Sequence, residues 1–428
     1  MSNYKHSVSL IKDKCKGCTN CLKRCPTEAI RIRDGHSVID EERCIDCGQC
    51  IRVCPYQAKK ASSDKMEKFA HYKYKIAIPA PALYGQFERL EDIDYIISGL
   101  YECGFDEVLE VARAAELVSA YTRNYLKRED VVKPVIYSAC HVVTRLISMR
   151  FPYLTDHLLP ILAPIELAAK LAKEEALAIH PELKEEDICV LFISPCPAKV
   201  SYVRNPIGIE KSAVDGVLSI SDMYFKLVSV MNKLDKVEHS SKTGIIGISW
   251  AGSGGEARAL LNDKYLAADG IDDVINVLEE IENGNLSGLE FVELNACHGG
   301  CVGGTLNMEN PFIAKARLTN LRRYLPVSQN NAPRDSGTFI PEDYMWSKSV
   351  DYTPVSRLSD DRKEAMAIMA KIQKVNEGFP QLDCGACGSP TCRALAEDVV
   401  LRGGSEEQCI FVLKEKYRQL SGGGSEEQ

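Results

Sequence analysis

The cysteines constrain what this chain can fold into more than any other feature. The pattern C-x2-C-x2-C-x3-C-P occurs twice, beginning at Cys15 and again at Cys44. Its two-residue gaps wrap a tight loop around one corner of a metal cluster, and the fourth cysteine lies too far along to reach the same cluster. Altogether 18 of the 428 residues are cysteine. In a reducing compartment, where disulfides are rare, so many thiols usually bind metal.

Composition narrows the class of protein further. Apolar residues make up 45% of the chain, charged residues make up 26%, and the net charge is −8, which argues against a nucleic-acid binder. No apolar run reaches the ~18 residues of a transmembrane helix, and the first residues lack the apolar core of a signal peptide. These features predict a cytoplasmic protein of about three domains, with no nucleic-acid or membrane partner.

The repeated pattern resembles that of bacterial two-cluster ferredoxins, in which the fourth cysteine of each copy binds the cluster of the other copy. It implies two [4Fe–4S] ligand sets: Cys15, Cys18, Cys21 and Cys54 in one, and Cys25, Cys44, Cys47 and Cys50 in the other. Zinc binding, or eight unrelated thiols, is the alternative. Two complete copies of the pattern with both prolines argue against it.

A second cysteine module lies near the C-terminus. Its pattern, C-x2-C-x4-C-x16-C, is formed by Cys384, Cys387, Cys392 and Cys409. The pattern resembles the four-cysteine iron–sulfur domain of corrinoid iron–sulfur proteins and membrane redox complexes, and it implies a third [4Fe–4S] cluster. A structural zinc site also uses four cysteines, usually as two paired knuckles, but these gaps fit that arrangement poorly.

Between the two modules, β-rich runs alternate with helical patterns. Strands are predicted at 74–79, 133–139, 188–194, 243–250 and 289–295, and helices at 87–100, 164–178 and 221–234. The alternation predicts an α/β fold with parallel sheets flanked by helices. We divide the chain into a ferredoxin-like α+β domain at 1–70, a central domain at 71–326, a linker and helix at 327–380, a small helical iron–sulfur domain at 381–420 and a disordered tail at 421–428.

Six cysteines remain, and four of them lie at the ends of predicted strands or in glycine-rich loops. These four are Cys140, Cys196, Cys297 and Cys301. The carboxyl ends of parallel strands form the ligand crevice of open α/β sheets, so thiolates that converge there are able to hold a cubane. Cys103 and Cys189 are interpreted as small buried apolar residues.

The segments around the four cysteines resemble the three motif loops of [FeFe] hydrogenases. They read YSACH at 137–141, SPCPAK at 194–199 and ELNACHGGCVGG at 293–304. APA at 80–82, GFDEV at 104–108 and GSGGE at 252–256 are similar to further motifs of that family. The resemblance implies a two-lobed domain that binds the H-cluster, a [4Fe–4S] cubane joined through one cysteine to a di-iron unit with CO, cyanide and an azadithiolate bridge.

Carried over position by position, the resemblance implies a role for each motif residue. Cys140, Cys196 and Cys297 would ligate the cubane, and Cys301 would ligate it and bridge to the di-iron unit as a catalytic residue. Lys199, also counted as catalytic, would hold a cyanide ligand as a fixed point charge. The other cofactor-binding positions are Ala80, Pro81, Ser194, Pro195, Asn295, Gly303 and Gly304.

Near the di-iron unit the sequence departs from standard catalytic members. His141 stands where they carry a second cysteine that passes protons, and Ser194 and Asn295 stand where they carry methionines. Within 116–123, no carboxylate falls where their proton relay needs one. His141 is a candidate catalytic replacement, since imidazole titrates near ~6.5, and a packed or surface histidine is the alternative. Slow turnover is expected either way.

These departures resemble the sensory hydrogenases, many of which carry a PAS domain that we do not expect in this chain. The working hypothesis is slow, reversible conversion of H2 into protons and electrons for H2 sensing, with electrons passing to the N-terminal clusters or to the C-terminal one. The implied partners are an electron-transfer protein, a signalling kinase or phosphatase, hydrogenase maturation proteins and, as an open option, a second copy in a homodimer.

Two rival functions stay open. One is a non-catalytic electron-transfer or cluster-assembly protein without the di-iron unit, against which Lys199, Gly303 and Gly304 argue. The other is signalling without net catalysis, in which the cluster redox state changes a partner interface. The glycine turn at 252–255 lacks the Gly-Lys-Ser/Thr ending of a phosphate loop, so nucleotide binding is not expected.

Overall fold

The structure is a computed structural model, and it describes residues 5–234, 236–237, 239–333, 335–355 and 358–421. The tail predicted at 421–428 lies outside these residues except for Ser421. Across the described ranges, none of the helices combines the length and the apolar character that crossing a membrane requires.

The N-terminal module consists of two small antiparallel strand pairs and two short helices. Its elements are β1 (Val8–Leu10), α1 (Asn20–Lys23), β2 (Ile30–Arg33), β3 (His36–Ile39), α2 (Gln49–Arg52) and β4 (Lys59–Ala61). Strand β1 pairs with β4, and β2 pairs with β3. One cysteine of each repeat lies in a helix of only four residues. Such helices are too short to be stable alone, so tertiary contacts and cysteine ligation must hold these loops.

The central domain contains two parallel sheets. Their strands are β5 (Tyr74–Pro79), β6 (Glu107–Val108), β7 (Val135–Ile136), β8 (Ile188–Ser194), β9 (Gly216–Ser219), β10 (Tyr265–Asp269) and β11 (Phe291–Asn295). The strand order is β6-β5-β8-β9 in the first sheet and β10-β11-β7 in the second, and every ladder is parallel. The predicted α/β, two-lobed class of fold is therefore confirmed.

Helices cover both faces of the first sheet. The helices of the central domain are α3 (Asp94–Glu102), α4 (Val111–Leu126), α5 (His141–Arg150), α6 (Pro164–Ile179), α7 (Pro197–Arg204), α8 (Ile220–Met231), α9 (Ile245–Ser249), α10 (Gly255–Ala259), α11 (Ile271–Glu282) and α12 (Pro311–Leu321). Along β8, Phe192 packs with α4 and α6, whereas Leu191 packs with α3 and α8 on the opposite face. A strand buried on both faces is apolar at every position, which explains the uninterrupted run at 188–194.

The second sheet connects the two lobes. Phe291 of β11 belongs to the apolar core that α4 and α6 form on the first sheet, whereas Val292 and Leu294 face a separate core covered by α5 and α11. Alternate side chains of one strand therefore pack into two different cores. This arrangement brings the carboxyl ends of both sheets toward each other.

The C-terminal module is helical, as expected. Its helices are α13 (Arg362–Glu377), α14 (Cys392–Arg402) and α15 (Ile410–Leu420). Helices α13 and α14 pack around Ile372, Phe379 and Leu395. Cys392 is the first residue of α14, and Cys409 directly precedes α15, so two of the four cysteines lie where a helix begins.

One predicted strand is wrong. The segment 243–250 is rich in isoleucine and was expected to be extended, but it contains the helix α9. The backbone amides of Gly244 and Gly247 donate to the Glu116 carboxylate, at 2.8 and 3.4 Å, and Gly247 packs against the backbone of Ala112. A buried carboxylate therefore satisfies amides at the start of the helix, which have no partner within the helix itself.

The other predicted elements differ mainly in length. Predicted strands 74–79 and 188–194 coincide with β5 and β8, whereas 133–139 shortens to β7 and 289–295 to β11. The short strands β6, β9 and β10 were not predicted. These strands are only two to five residues long, and so short a segment shows too little alternation of apolar and polar residues to be told from a loop.

We predict that Phe291→Ala destabilises the central domain strongly, because Phe291 is fully buried between the lobes. Loss of a buried phenylalanine side chain typically lowers the free energy of unfolding by about 3–5 kcal/mol. Chemical denaturation of the iron-loaded protein measures the change. Phe312→Ala is the control, because Phe312 is 75% exposed and surface changes stay within about 0.5 kcal/mol. Equal effects of the two variants would contradict this account of the core.

Candidate active site and cluster sites

The four cysteines of the central domain line one cavity. Cys140, Cys196, Cys297 and Cys301 face it together although they lie far apart in the sequence. Cys140 and Cys196 directly precede α5 and α7, and Cys297 follows β11. The cavity therefore lies at the carboxyl ends of both parallel sheets. Its wall also includes several other predicted site residues, which are Ala80, Pro81, His141, Pro195, Lys199, Asn295 and Gly304.

The electrostatics of the cavity favour a metal cluster. Burial raises the pKa of Cys301 to about 12, with Lys199 opposing the rise and Cys140 and Cys297 adding to it. Burial also raises the pKa of Cys196, and Cys297 beside it adds to the rise. Four thiolates this close in a buried site need positive charge to offset their repulsion. Iron supplies that charge when it displaces the thiol protons, so the donor set fits a [4Fe–4S] cubane.

Lys199 is held at the wall of this cavity. Its Nζ donates to the carbonyl oxygen of Ala139 at 2.6 Å and lies 3.1 Å from Nδ1 of His141. The imidazole of His141 stacks on the ring of Tyr202, with a centroid distance of 3.4 Å and an interplanar angle of 5°. These contacts fix the position of the Lys199 ammonium beside the cysteines.

The structure places His141 in a buried environment beside a positive charge, and a catalytic role for His141 stays a prediction. Burial lowers the pKa of His141 well below the usual value, and the charge of Lys199 lowers it further. A neutral imidazole can accept a hydrogen bond from Lys199 at Nδ1. Of the two sequence interpretations, a packed histidine describes the observed environment.

Ser194 and the two glycines have roles in the backbone around the cavity. The hydroxyl of Ser194 accepts from the amide of Cys196 at 3.1 Å and donates to its carbonyl at 3.0 Å, so it closes the turn that carries Cys196. A methyl group on Gly304 would overlap the carbonyl oxygen of Pro195, and one on Gly303 would overlap that of His298. The close approach of neighbouring backbone therefore explains why glycine stands at both positions, and no contact with a di-iron unit is needed to explain it.

A buried carboxyl pair next to the cavity escaped the sequence interpretation. Asn295 donates from Nδ2 to Oε1 of Glu293 at 2.8 Å, and Glu293 also accepts from the amides of Gly254 and Ala257, both at 2.9 Å. Burial raises the pKa of Glu256 well above the usual range, and Glu293 adds to the rise. Among the described residues, Oε2 of Glu256 has no hydrogen-bond partner.

Burial and the neighbouring charge of Glu293 therefore both favour the protonated form of Glu256. Both glutamates lie within the quoted segments GSGGE and ELNACHGGCVGG, which was the available signal. Nothing in the sequence shows that the two segments meet in space.

The eight N-terminal cysteines form the two sets that the ferredoxin pattern predicts. One cavity is lined by Cys15, Cys18, Cys21 and Cys54, and we call it the outer site. Another is lined by Cys25, Cys44, Cys47 and Cys50, and we call it the inner site. Ligation of iron by these residues stays a prediction.

Lys59 shows that the outer and inner sites suit an anionic group. Its side chain is buried, with 4% exposure, and Nζ has no hydrogen-bond partner among the described residues. Burial raises the pKa of Cys21, and Lys59 opposes that rise. The same opposition acts on Cys50, whose pKa burial raises to about 12. An unpartnered buried ammonium is costly, and a thiolate-bound cluster offsets that cost.

The inner site lies against the cavity of the central domain. Arg52 donates from Nη2 to Sγ of Cys297 at 3.1 Å and to the carbonyl of Gly303 at 2.6 Å, and from Nη1 to the carbonyl of Cys47 at 3.1 Å. Asp46 accepts from the hydroxyl of Ser201 on α7 at 2.6 Å. One guanidinium thus joins the backbone of an inner-site cysteine to a sulfur of the cavity.

The four C-terminal cysteines also come together. Cys387, Cys392 and Cys409 belong to one apolar cluster. Burial raises the pKa of Cys387, and the nearby Cys384 and Cys409 add to the rise. These residues offer four sulfurs to one metal cluster, and their ligation stays a prediction.

Comparison with known protein families agrees with this arrangement. The family described as "Iron only hydrogenase large subunit, C-terminal domain" matches residues 73–262 and 231–305. A 4Fe-4S dicluster domain matches residues 7–65, and a family described as an Fe-S cluster matches residues 379–411. The first match covers more than half of the chain, which therefore belongs to the [FeFe] hydrogenase family and carries iron–sulfur modules on both sides of the hydrogenase domain.

Solved structures include similar chains. An apo variant of the [FeFe]-hydrogenase HydA1 from Chlamydomonas reinhardtii is 16% identical, with a TM-score of 0.47, covering 62% of this chain and 89% of that chain. A second HydA1 variant from the same organism is 15% identical, with a TM-score of 0.47, covering 62% of this chain and 88% of that chain. No curated protein matches this chain in sequence.

We predict that Gly304→Ala prevents assembly of the cubane in the central domain, because the added methyl group displaces the Pro195–Cys196 turn. Iron content and visible absorption after anaerobic reconstitution measure the loss, which should amount to one cluster per chain. Gly288→Ala is the matched control, since a methyl group there meets nothing within 4 Å. Full iron content in Gly304→Ala would refute the steric explanation.

Proposed function

We propose that this chain is a slow [FeFe] hydrogenase of the sensory type, which interconverts H2 with protons and electrons. The single observation that carries the proposal is the cavity where Cys140, Cys196, Cys297 and Cys301 converge beside Lys199. The proposed cofactors are an H-cluster, with its CO, cyanide and azadithiolate ligands, and three further [4Fe–4S] clusters. When bound, the H-cluster supplies heterolytic cleavage of H2 and its reverse at an open iron site.

The residues of the chain orient and enclose this site. Cys301 would connect the two parts of the cofactor, and Lys199, held by Ala139 and His141, would offer a fixed ammonium to a cyanide ligand. Ala80 and Pro81 form part of the wall, together with the apolar side chains of Phe192 and Trp250. An apolar wall of this kind limits the access of water to the reacting atoms.

Proton transfer is the step in which these residues differ most from a fast hydrogenase. Asn295 connects the cavity to the Glu293–Glu256 pair, and Thr122 on α4 donates to Oε1 of Glu256 at 3.4 Å. The carboxyl pair is able to hold and release a proton. The amide of Asn295 transfers protons poorly because its nitrogen is not basic near neutral pH, and this supports slow turnover.

Slow turnover suits sensing better than bulk H2 metabolism. We infer that the H2 signal leaves as electrons through the iron–sulfur clusters to an electron-transfer protein, and that a kinase or phosphatase converts it into a cellular response. Maturation proteins would supply the di-iron unit. The homodimer, the cytoplasmic location and the domain limits near 70, 326 and 380 stay predictions.

One observation favours a second candidate function, a non-catalytic iron–sulfur protein without the di-iron unit. The imidazole of His141 stacks on Tyr202 and contacts Lys199 at Nδ1, so packing contacts engage the residue that stands where standard members carry a proton-relaying thiol. Iron counting separates the two functions, since four cubanes contain about sixteen iron atoms and the di-iron unit adds two.

The experiment that tests the proposed function is loading of the reconstituted protein with a synthetic di-iron complex. We expect infrared bands of CO and cyanide and slow H2 oxidation, with both lost in Cys301→Ser. Lys199→Gln should shift the cyanide bands while the cubane is retained. A loaded wild-type protein without these bands would contradict the hydrogenase function and favour the second candidate.

We further predict that Glu293→Gln lowers H2 turnover by about 10²-fold, the lower end of the range for a lost acid–base group. The infrared bands should stay unchanged, because Glu293 does not line the cavity. Glu110→Gln is the control, since Glu110 is also a buried carboxylate but accepts from Ser241 and Lys242 elsewhere in the domain. Equal rates in Glu293→Gln and wild type would exclude the carboxyl pair from proton transfer.

A further inference from the structure

The loop that carries the C-terminal cysteines packs against the outer site of the N-terminal module. A methyl group at Gly385 would lie 2.9 Å from Cε of Lys23 and 3.2 Å from Cδ2 of Leu22, and Nζ of Lys23 donates to the carbonyl of Pro390 at 3.2 Å. Leu22 and Lys23 directly follow Cys21, a predicted ligand of the outer cluster. The two cysteine loops are therefore in van der Waals contact.

A backbone hydrogen bond brings the two sites together at a second point. The amide of Ile32 donates to the carbonyl of Gly388 at 2.8 Å. Ile32 lines the outer site, and Gly388 directly follows Cys387. The residue next to Cys387 is therefore hydrogen-bonded to a residue in the wall of the outer site.

Buried ion pairs fix this contact. Asp398 on α14 is 3% exposed and accepts from Nε of Arg31 at 2.6 Å and from Nη2 of Arg33 at 2.7 Å. The neighbouring Glu397 accepts from Nη2 of Arg43 at 2.9 Å. Because α14 begins at Cys392, the helix that carries a predicted cluster ligand is also the helix that docks. Removing one partner of a buried ion pair leaves the other charge uncompensated.

The opposite end of the N-terminal module contacts the four-cysteine cavity of the central domain. Arg52 joins Cys47 of the inner site to Cys297 of the cavity. Within the module, Cys21 of the outer site packs in one apolar cluster with Cys25 and Cys50 of the inner site, so the two sites are neighbours. The contacts run in the order cavity, inner site, outer site and C-terminal site.

We propose that the C-terminal cluster is the last member of a single series of clusters and not a second branch from the central domain. The proposal rests on the proposed function only in one respect: it takes the four-cysteine cavity, at the other end of the series, as the place where H2 is converted. Each transfer oxidises one cluster and reduces its neighbour by one electron, with no bond change at either. Oxidation of one H2 releases two electrons into the series, and its two protons leave separately through the central domain.

Two clusters of the series lie near the surface, where an external electron carrier is able to reach them. Cys384 is exposed, so a one-electron carrier is able to approach the C-terminal cluster directly. Cys18 of the outer site is exposed as well, which makes that cluster the competing exit.

Pulsed EPR of the dithionite-reduced protein, reconstituted with iron and sulfide but without the di-iron unit, tests the order. We expect a magnetic interaction between the C-terminal and outer clusters in the wild type, since electron spins in adjacent clusters couple. Asp398→Asn should remove the interaction while the iron content is retained. Lys416→Gln is the matched control, because it breaks the exposed pair with Glu407 on the same module, and it should keep the interaction.

The other outcomes contradict separate parts of the proposal. A wild type without this interaction would place the C-terminal cluster elsewhere, and an interaction that survives in Asp398→Asn would show that the ion pairs do not determine the contact. Cys409→Ser, which removes a C-terminal ligand, must abolish the same signal if it is correctly assigned. Because the measurement needs no di-iron unit, coupling without H2 activity in the loaded protein would leave the series intact and refute only the proposed function.

Discussion

Four sulfurs share one buried cavity as anions only if positive charge enters the cavity with them. Burial keeps Cys301 and Cys196 protonated near neutral pH, and Lys199 brings one positive charge to the wall. Iron has to complete the balance, so metal binding and correct folding of this region are linked. The same balance holds in the N-terminal module, where Lys59 is buried without a partner in the described structure. A thiolate-bound cluster is the counterion that its ammonium lacks.

The helices that form the cavity also contact the inner site, from which the proposed electron path reaches the cavity. Helix α5 begins after Cys140 and carries Arg145, which donates to the carbonyl of Cys44 at 3.2 Å. Helix α7 begins after Cys196 and carries Ser201, which donates to Asp46. The two helices that carry cavity ligands at their N-terminal ends therefore hold the inner site as well. A change that moves either helix should alter the cavity and the electron path together, because both depend on the same backbone.

The sequence predicted what local spacing and chemistry determine. The two cysteine sets, the strands β5 and β8, and the convergence of four cysteines at strand ends all follow from such patterns. What it could not predict depends on partners far away in the chain. Helix α9 exists because Glu116, 128 positions away from Gly244, accepts its amides, and the C-terminal module docks through an ion pair between residues 367 positions apart. The burial of His141 was not predictable for the same reason, since burial is a property of the folded chain.

The departures from standard catalytic members share one physical effect. His141 contacts Lys199, and Ser194 closes the turn of Cys196. Both residues therefore hold parts of the cavity wall in position where standard members carry other side chains. In the function that we propose, such a site would hold its cofactor firmly but supply protons slowly. The redox state of that cofactor would then follow the H2 concentration without consuming much H2, which is the behaviour that a sensor requires.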